Sequence, residues 1–145
     1  MADLGLTGIG HLAIRAKDLD TVVRFYVEQL DCAEMFRLHR DNGDLMLVYL
    51  RLTDDQYLEF FPNGTGEAPA REAVGMSHLC ITVADLDVTV AELERRGVAI
   101  TRGVITGLDG NRQAWIADPE GNRIELMEMA ADSGQAKAIA RLRQG

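Results

Sequence analysis

The chain has 145 residues, of which 47% are hydrophobic, and a formal net charge of −8 at pH 7. This length allows one domain or two small modules with a common core, and the hydrophobic fraction excludes a disordered chain. The negative charge and the lack of a basic block argue against a nucleic-acid partner, so an anionic substrate would need arginines placed close to it. No apolar run approaches the roughly 20 residues that span a bilayer, and we expect no membrane partner.

The sequence also predicts where the protein resides. The first residues, "MADLGLTG", do not have the basic and then apolar stretches of a secretory signal. Cys32 and Cys80 are the only cysteines, too few for a disulfide scaffold. We therefore expect a cytoplasmic protein whose partner is a small-molecule substrate.

An internal repeat opens both halves of the chain. "GIGHLAIRAKDLD" (8–20) recurs as "GMSHLCITVADLD" (75–87), with His11 and His78 at the same place in each. In both segments apolar residues alternate and predict a strand, and an aspartate then stands where the N-cap of a helix is expected. Apolar side chains at helical spacing follow each aspartate. The repeat predicts two copies of one structural module.

Three further strands are predicted after each helix. They are "AEMFRLHR", "LMLVYLRL" and "QYLEFF" in the first half, and "VAITR", "RQAWIA" and "RIELME" in the second. Each half is therefore predicted to be βαβββ, which makes the fold class α+β. The predicted boundaries are 8–61 for the first module, 62–75 for a linker, 76–129 for the second module and 130–145 for a C-terminal helical tail.

Two glutamates extend the repeat to the last predicted strand of each module. Alternation places Glu59 and Glu125 on the face opposite their apolar neighbours. A single histidine or glutamate in a strand usually has a structural role, but matched positions in two modules favour a common function. A carboxylate in an apolar strand is costly to bury unless it has a partner. A divalent metal is a suitable partner, because such ions bind imidazole and carboxylate groups together. The sequence therefore predicts one metal site formed by His11, Glu59, His78 and Glu125.

With these four residues the chain resembles the vicinal oxygen chelate superfamily, which includes glyoxalase I, fosfomycin-resistance proteins, extradiol dioxygenases, methylmalonyl-CoA epimerase and bleomycin-binding proteins. The resemblance covers about residues 8–129. It rests on the four predicted ligands and on the stretches "GHLAI..DLD..VRFY" and "DPEGNRIELME". It implies two tandem βαβββ modules that form a curved mixed sheet around a metal site.

A glutamate at the end of both modules, together with both histidines, is similar to glyoxalase I (lactoylglutathione lyase). In that family an Arg four residues after the first His and an Asn four residues after the first Glu contact glutathione. Arg15 and Asn63 occupy those places. The resemblance thus implies glutathione as co-substrate and Ni, Zn or Co as the metal. Arg15 as a surface charge and Asn63-Gly64 as a simple turn remain open.

The activity implied by the resemblance is that of a lyase in methylglyoxal detoxification. A hemithioacetal of glutathione and methylglyoxal would be isomerised to the lactoyl thioester by proton transfer through a metal-held enediolate. Glu125 is the implied principal base, and Glu59 a second ligand able to share that role. The resemblance also implies a homodimer with sites at the interface, although the repeat alone equally permits pairing of the modules within one chain.

Two alternatives to this activity remain. One is another metal-dependent isomerase or epimerase of the superfamily that acts on a sugar or keto-acid. It is favoured by the loop "RGVITGLDGN", which is rich in glycine and has no lysine where the family holds glutathione with a basic residue. Arg102 and Arg112 remain open as replacements for that residue. The other is a non-catalytic small-molecule-binding protein, against which the intact set of predicted ligands argues.

Overall fold

The computed structural model describes residues 4–143, which form two compact units separated between Gly66 and Glu67. Residues 1–3 of the "MADLGLTG" segment and residues 144–145 of the predicted tail lie outside the described residues. None of the helices in the described part of the chain is long and apolar enough to cross a membrane.

The first unit is a four-stranded sheet with one helix. Its elements are β1 Leu12–Arg15, α1 Leu19–Glu28, β2 Ala33–His39, β3 Leu45–Thr53 and β4 Gln56–Phe61. The strand order is β1-β4-β3-β2, with β1 parallel to β4 and the other pairs antiparallel.

The second unit repeats this topology. Its elements are β5 Leu79–Thr82, α2 Leu86–Arg95, β6 Arg102–Thr106, β7 Arg112–Ala117, β8 Arg123–Glu128 and a terminal helix, α3 Gly134–Leu142. The strand order is β5-β8-β7-β6, again with only the first pair parallel. The predicted α+β fold with two tandem βαβββ modules is confirmed.

Both repeated helices begin as the sequence predicts. Asp18 and Asp85 are the N-caps, and their carboxylates accept hydrogen bonds from the backbone N–H groups of Thr21 and Val88. Each bond satisfies one of the N–H groups that a helix leaves unpaired in its first turn. The helix therefore starts a few residues after the first strand of each unit, and the remaining strands follow it.

One predicted strand is wrong in position. The stretch "VAITR" (98–102) is not a strand, and β6 begins only at Arg102. Gly97 has a φ of 82° and ends α2 in the left-handed region, and the Val98 N–H still donates to the Leu93 carbonyl. The β-branched residues after the helix therefore first complete its C-terminus, and pairing with β7 starts at Thr101, whose N–H donates to the Trp115 carbonyl.

The helix of each unit covers one face of its sheet. In the first unit Tyr26 of α1 contacts Phe60 of β4, with ring centroids 4.9 Å apart, and both side chains are fully buried. In the second unit α2 packs against β7 and β8, where Ile116 and Ile124 are buried. Because side chains alternate along a strand, Glu59 between Leu58 and Phe60 must point to the face that the helix does not cover.

Candidate metal centre

In the first unit, the predicted ligands His11 and Glu59 lie side by side. His11 immediately precedes β1, and Glu59 is in the middle of β4, where it pairs with Ala13. The Nε2 atom of His11 lies 3.2 Å from Oε2 of Glu59, and the glutamate side chain is only 12% exposed. A carboxylate so little exposed needs a partner, and the imidazole supplies it here.

Tyr49 of β3 completes this group. Its hydroxyl lies 3.0 Å from Nδ1 of His11, and it stands opposite Glu59 in the β3–β4 register. Burial, followed by the charge of Glu59 and a hydrogen bond to it, raises the pKa of the Tyr49 hydroxyl. Phe36 of β2 stacks on the Tyr49 ring at 4.9 Å, which fixes the ring beside the histidine. Tyr49 therefore remains protonated and contacts both candidate ligands.

The second unit contains the equivalent pair, His78 and Glu125. His78 immediately precedes β5, and its Nε2 atom lies 2.8 Å from Oε2 of Glu125 in β8. Nδ1 of His78 lies 3.1 Å from the Ser77 hydroxyl. Arg123 donates from Nη2 to both the carbonyl and the hydroxyl of Ser77. A chain of hydrogen bonds thus runs from Arg123 through Ser77 to the histidine.

Cys80 and Trp115 flank Glu125 on the neighbouring strands. The Trp115 ring lies edge-on to His78 with centroids 4.7 Å apart, and its indole N–H donates to Oε1 of Gln113. Burial, with Glu125 nearby, raises the pKa of the Cys80 thiol to about 11. The thiol therefore stays protonated at neutral pH in the metal-free protein.

The sequence interpretation missed Tyr49, Trp115, Ser77 and Arg123. A signal for the first two was available, because Tyr49 and Trp115 stand opposite Glu59 and Glu125 in equivalent hairpins. Aligning the predicted β3–β4 and β7–β8 hairpins by their glutamates would have identified both aromatic residues.

The chemistry of these groups fits a divalent ion. Each histidine directs Nδ1 at a hydroxyl and Nε2 at a carboxylate. Without an ion, Nε2–H is the donor to the carboxylate; with an ion between them the proton would lie on Nδ1 and be donated to the hydroxyl, as in metal-binding histidines held by an outer hydrogen bond. Within residues 4–143 no group of three or more His, Cys, Asp or Glu side chains forms a possible metal site, so each unit supplies a pair of donors.

The predicted substrate-binding residues Arg15 and Asn63 lie near the end of β4. Arg15 donates from Nη1 to the Pro62 carbonyl at 2.8 Å, and its guanidinium lies 5.1 Å from the centre of the Phe61 ring. Asn63 is exposed and has a φ of 62°, a conformation that asparagine tolerates in turns. Arg15 therefore contacts Pro62, the residue before Asn63. Arg15 bonds the backbone there, and Asn63 forms part of the turn.

The chain is similar to known proteins over most of its length. The family model of the Glyoxalase/Bleomycin resistance protein/Dioxygenase superfamily matches residues 8–126. The YaeR protein of Escherichia coli (strain K12) is 32% identical over 127 residues, which are 86% of this chain and 98% of that protein. A 2-epi-5-epi-valiolone epimerase of an Actinomyces species is 29% identical over 150 residues, with 88% of this chain and 82% of the epimerase covered.

A solved structure agrees with these matches. The crystal structure of a glyoxalase family protein from Enterococcus faecalis superposes with a TM-score of 0.73 at 28% identity. The match covers 83% of this chain and 97% of that protein.

Proposed function

The chain belongs to the Glyoxalase/Bleomycin resistance protein/Dioxygenase superfamily, and from this membership we propose that it is a metal-dependent enzyme that moves a proton at a carbon beside a carbonyl group. The observation that carries the proposal is the repeated pair of donors. In each unit a histidine Nε2 lies within 3.2 Å of a glutamate Oε2 on the uncovered face of the sheet.

In this proposal the two pairs together hold one divalent ion. His11, Glu59, His78 and Glu125 supply two nitrogen and two oxygen donors, a set that suits Ni, Zn or Co. The modules that share the ion come from the two chains of a homodimer. The histidines are neutral ligands, and the hydroxyls of Tyr49 and Ser77 fix their tautomer by accepting the proton of Nδ1.

When bound, the ion supplies Lewis acidity toward two adjacent oxygens of the substrate and so acidifies the neighbouring C–H bond. Glu125 accepts that proton on Oε2 and returns it to the adjacent carbon. Glu59 shares its charge with the Tyr49 hydroxyl, whereas the indole N–H of Trp115 beside Glu125 is directed to Gln113. Glu125 instead accepts from the Cys80 thiol, a weaker donor than a hydroxyl, which supports its role as the principal base.

The first candidate substrate is the hemithioacetal of glutathione and methylglyoxal, which would be isomerised to the lactoyl thioester. The place of Arg15 and Asn63 relative to His11 and Glu59 supports it. In this candidate Arg15 exchanges its bond to the Pro62 carbonyl for a carboxylate of glutathione, since a charged acceptor makes the stronger hydrogen bond.

The second candidate is epimerisation or isomerisation of a sugar-like hydroxyketone or keto-acid without a thiol. Two observations favour it: a relative of 29% identity is named a 2-epi-5-epi-valiolone epimerase, and Arg15 is already bonded within its own unit. Inversion beside a carbonyl begins with the same removal of a proton but returns it to the opposite face of the same carbon, so the two candidates share the first step and differ in the second.

The test is proton exchange by protein reconstituted with Ni, Zn or Co. Thioester absorbance is followed with methylglyoxal plus glutathione, and deuterium incorporation from D₂O into a vicinal hydroxyketone is followed by NMR without a thiol. Thioester formation supports the first candidate, and thiol-independent exchange supports the second. If the metal-loaded protein catalyses neither reaction above the metal-free protein, the proposed function is wrong.

A further inference from the structure

The second unit contains a cavity beside one of the candidate ligands. Its volume is about 340 Å³, and its lining includes His78, Trp115, Arg71, Arg102 and Arg123. The volume is at the lower end of the roughly 300–1,000 Å³ of small-molecule sites. The cavity thus combines an aromatic wall, a candidate metal ligand and three arginines.

These arginines differ from the arginines of the protein that bind acidic side chains. In the part of the chain that the structure describes, neither Arg71 nor Arg102 makes an ion pair, and Arg123 donates only to Ser77. Elsewhere the guanidinium groups of several arginines bind acidic side chains; these are Arg37, Arg51, Arg95, Arg96 and Arg112. Three guanidinium groups that make no ion pair among the described residues therefore line one cavity.

The net charge of the protein makes this group of three arginines significant. A chain of net charge −8 repels anions overall, and such a protein binds an anion only where cations are grouped locally. Guanidinium groups match the geometry of carboxylate and phosphate oxygens and are common where these groups are recognised. Three arginines at one cavity in an acidic protein fulfil that requirement.

We propose that this cavity binds an anionic oxygen group of the substrate, a carboxylate or a phosphate, through Arg71 and Arg102. Arg123 is a positioning residue, because it holds Ser77 and through it His78. This proposal rests on the proposed function, because it is His78 as a metal ligand that would place the cavity next to the reacting oxygens of the substrate. The substrate then carries two adjacent oxygens near His78 and an anionic group that reaches the arginines.

The experiment measures anion binding to the full-length, metal-free protein by isothermal titration calorimetry. Inorganic phosphate and S-methylglutathione are the two probes, one for a phosphate and one for a peptide carboxylate. The variants Arg71→Gln and Arg102→Gln each remove one cavity cation, whereas Arg95→Gln removes the same charge from an exposed ion pair on α2. Circular dichroism checks that each variant is folded.

At least one probe is expected to bind. Arg71→Gln and Arg102→Gln should each weaken it by roughly 10- to 100-fold, the usual effect of losing a hydrogen bond to a charged group, and Arg95→Gln should not. Whichever probe binds identifies the source of the anion. The proposal is overturned if neither probe binds, or if Arg95→Gln weakens binding as much as the cavity variants. Because no metal or turnover is involved, anion binding without proton exchange would refute the proposed function alone.

Discussion

At the scale of single residues, each of the two candidate histidine ligands contacts an uncharged hydroxyl. Tyr49 bonds Nδ1 of His11 in the first unit and Ser77 bonds Nδ1 of His78 in the second. The two hydroxyls come from different places, one from a central strand and one from the residue before the histidine. The same chemical role is therefore met by different residues in the two copies of the repeat, and each can be tested separately.

Tyr49→Phe removes the hydroxyl that fixes the tautomer of His11 and keeps the ring that stacks on Phe36. We expect metal affinity to fall by roughly 10- to 100-fold, the usual effect of losing an outer partner of a metal-binding histidine. Metal titration of the dialysed protein measures it. Tyr57→Phe is the matched control, because the Tyr57 hydroxyl donates to the Asp54 carbonyl. Equal losses in the two variants would show that Tyr49 does not act on the metal.

Glu125→Gln keeps the size of the side chain and an oxygen that can still bind a metal, but the amide cannot accept a proton at neutral pH. We expect metal binding to weaken only moderately and proton transfer to fall by roughly 10²–10⁴-fold, the range for positioned acid–base groups. Glu59→Gln should reduce proton transfer less. Deuterium exchange of the metal-loaded variants is the measurement, and near-full turnover of Glu125→Gln would assign the base to Glu59 or exclude proton abstraction.

At the scale of elements, the ends of β1 and β4 are joined by a close approach of the backbone. Ala16 donates its N–H to the Phe61 carbonyl and accepts from the N–H of Gly64, both at 2.8 Å. A Cβ at position 64 would lie 2.8 Å from the carbonyl carbon of Ala16. The Asn63-Gly64 turn therefore has a structural purpose that is independent of any substrate.

Gly64→Ala should destabilise the protein for this reason. The added methyl group meets backbone atoms of Ala16 and Lys17 that cannot rotate away, and overpacking of this kind costs about 1–3 kcal/mol. Urea denaturation measures the free energy of unfolding. Gly10→Ala is the control, since a Cβ there meets nothing within 4 Å. A Gly64→Ala variant as stable as Gly10→Ala would show that the close approach relaxes at little cost.

The strands also show how much of the fold the sequence determines locally. β4, β7 and β8 begin and end at the predicted residues, and the turn before β8 is closed by Asp118, which accepts from the N–H groups of Glu120 and Asn122. Such turn chemistry is local and can be read from sequence. The start of β6 cannot be read from sequence in this way. The hydrogen bond that extends the end of the helix to Val98 depends on the packing of the buried Val98 side chain.

The candidate site was predictable to a similar extent. The repeat indicates which histidine belongs with which glutamate, and the structure places each pair within hydrogen-bond distance. Tyr49 and Trp115 were also within reach of the sequence, because they stand opposite Glu59 and Glu125 in equivalent hairpins. The cavity arginines come from distant segments of the second unit and share no sequence pattern.

At the scale of the whole molecule, the division into two units means that neither module alone has more than one His–Glu pair of the predicted ligand set. A site with four ligands therefore requires that a first unit and a second unit meet. In a symmetric homodimer the first unit of one chain can meet the second unit of its partner, which produces two equivalent sites. Pairing within one chain would also produce one site per chain, so the two arrangements differ only in which chain supplies each half.

Mixing two inactive variants separates these arrangements. His11→Ala removes a ligand from the first unit and His78→Ala removes one from the second, so each pure protein should lose activity. If sites form between chains, each mixed dimer has one site with both defects and one intact site. Because half of the randomly reassorted dimers are mixed, about a quarter of all sites should recover. Activity after joint unfolding and refolding is the measurement, with tagged copurification to show that mixed dimers form. Mixed dimers without recovered activity would place both halves of each site in a single chain.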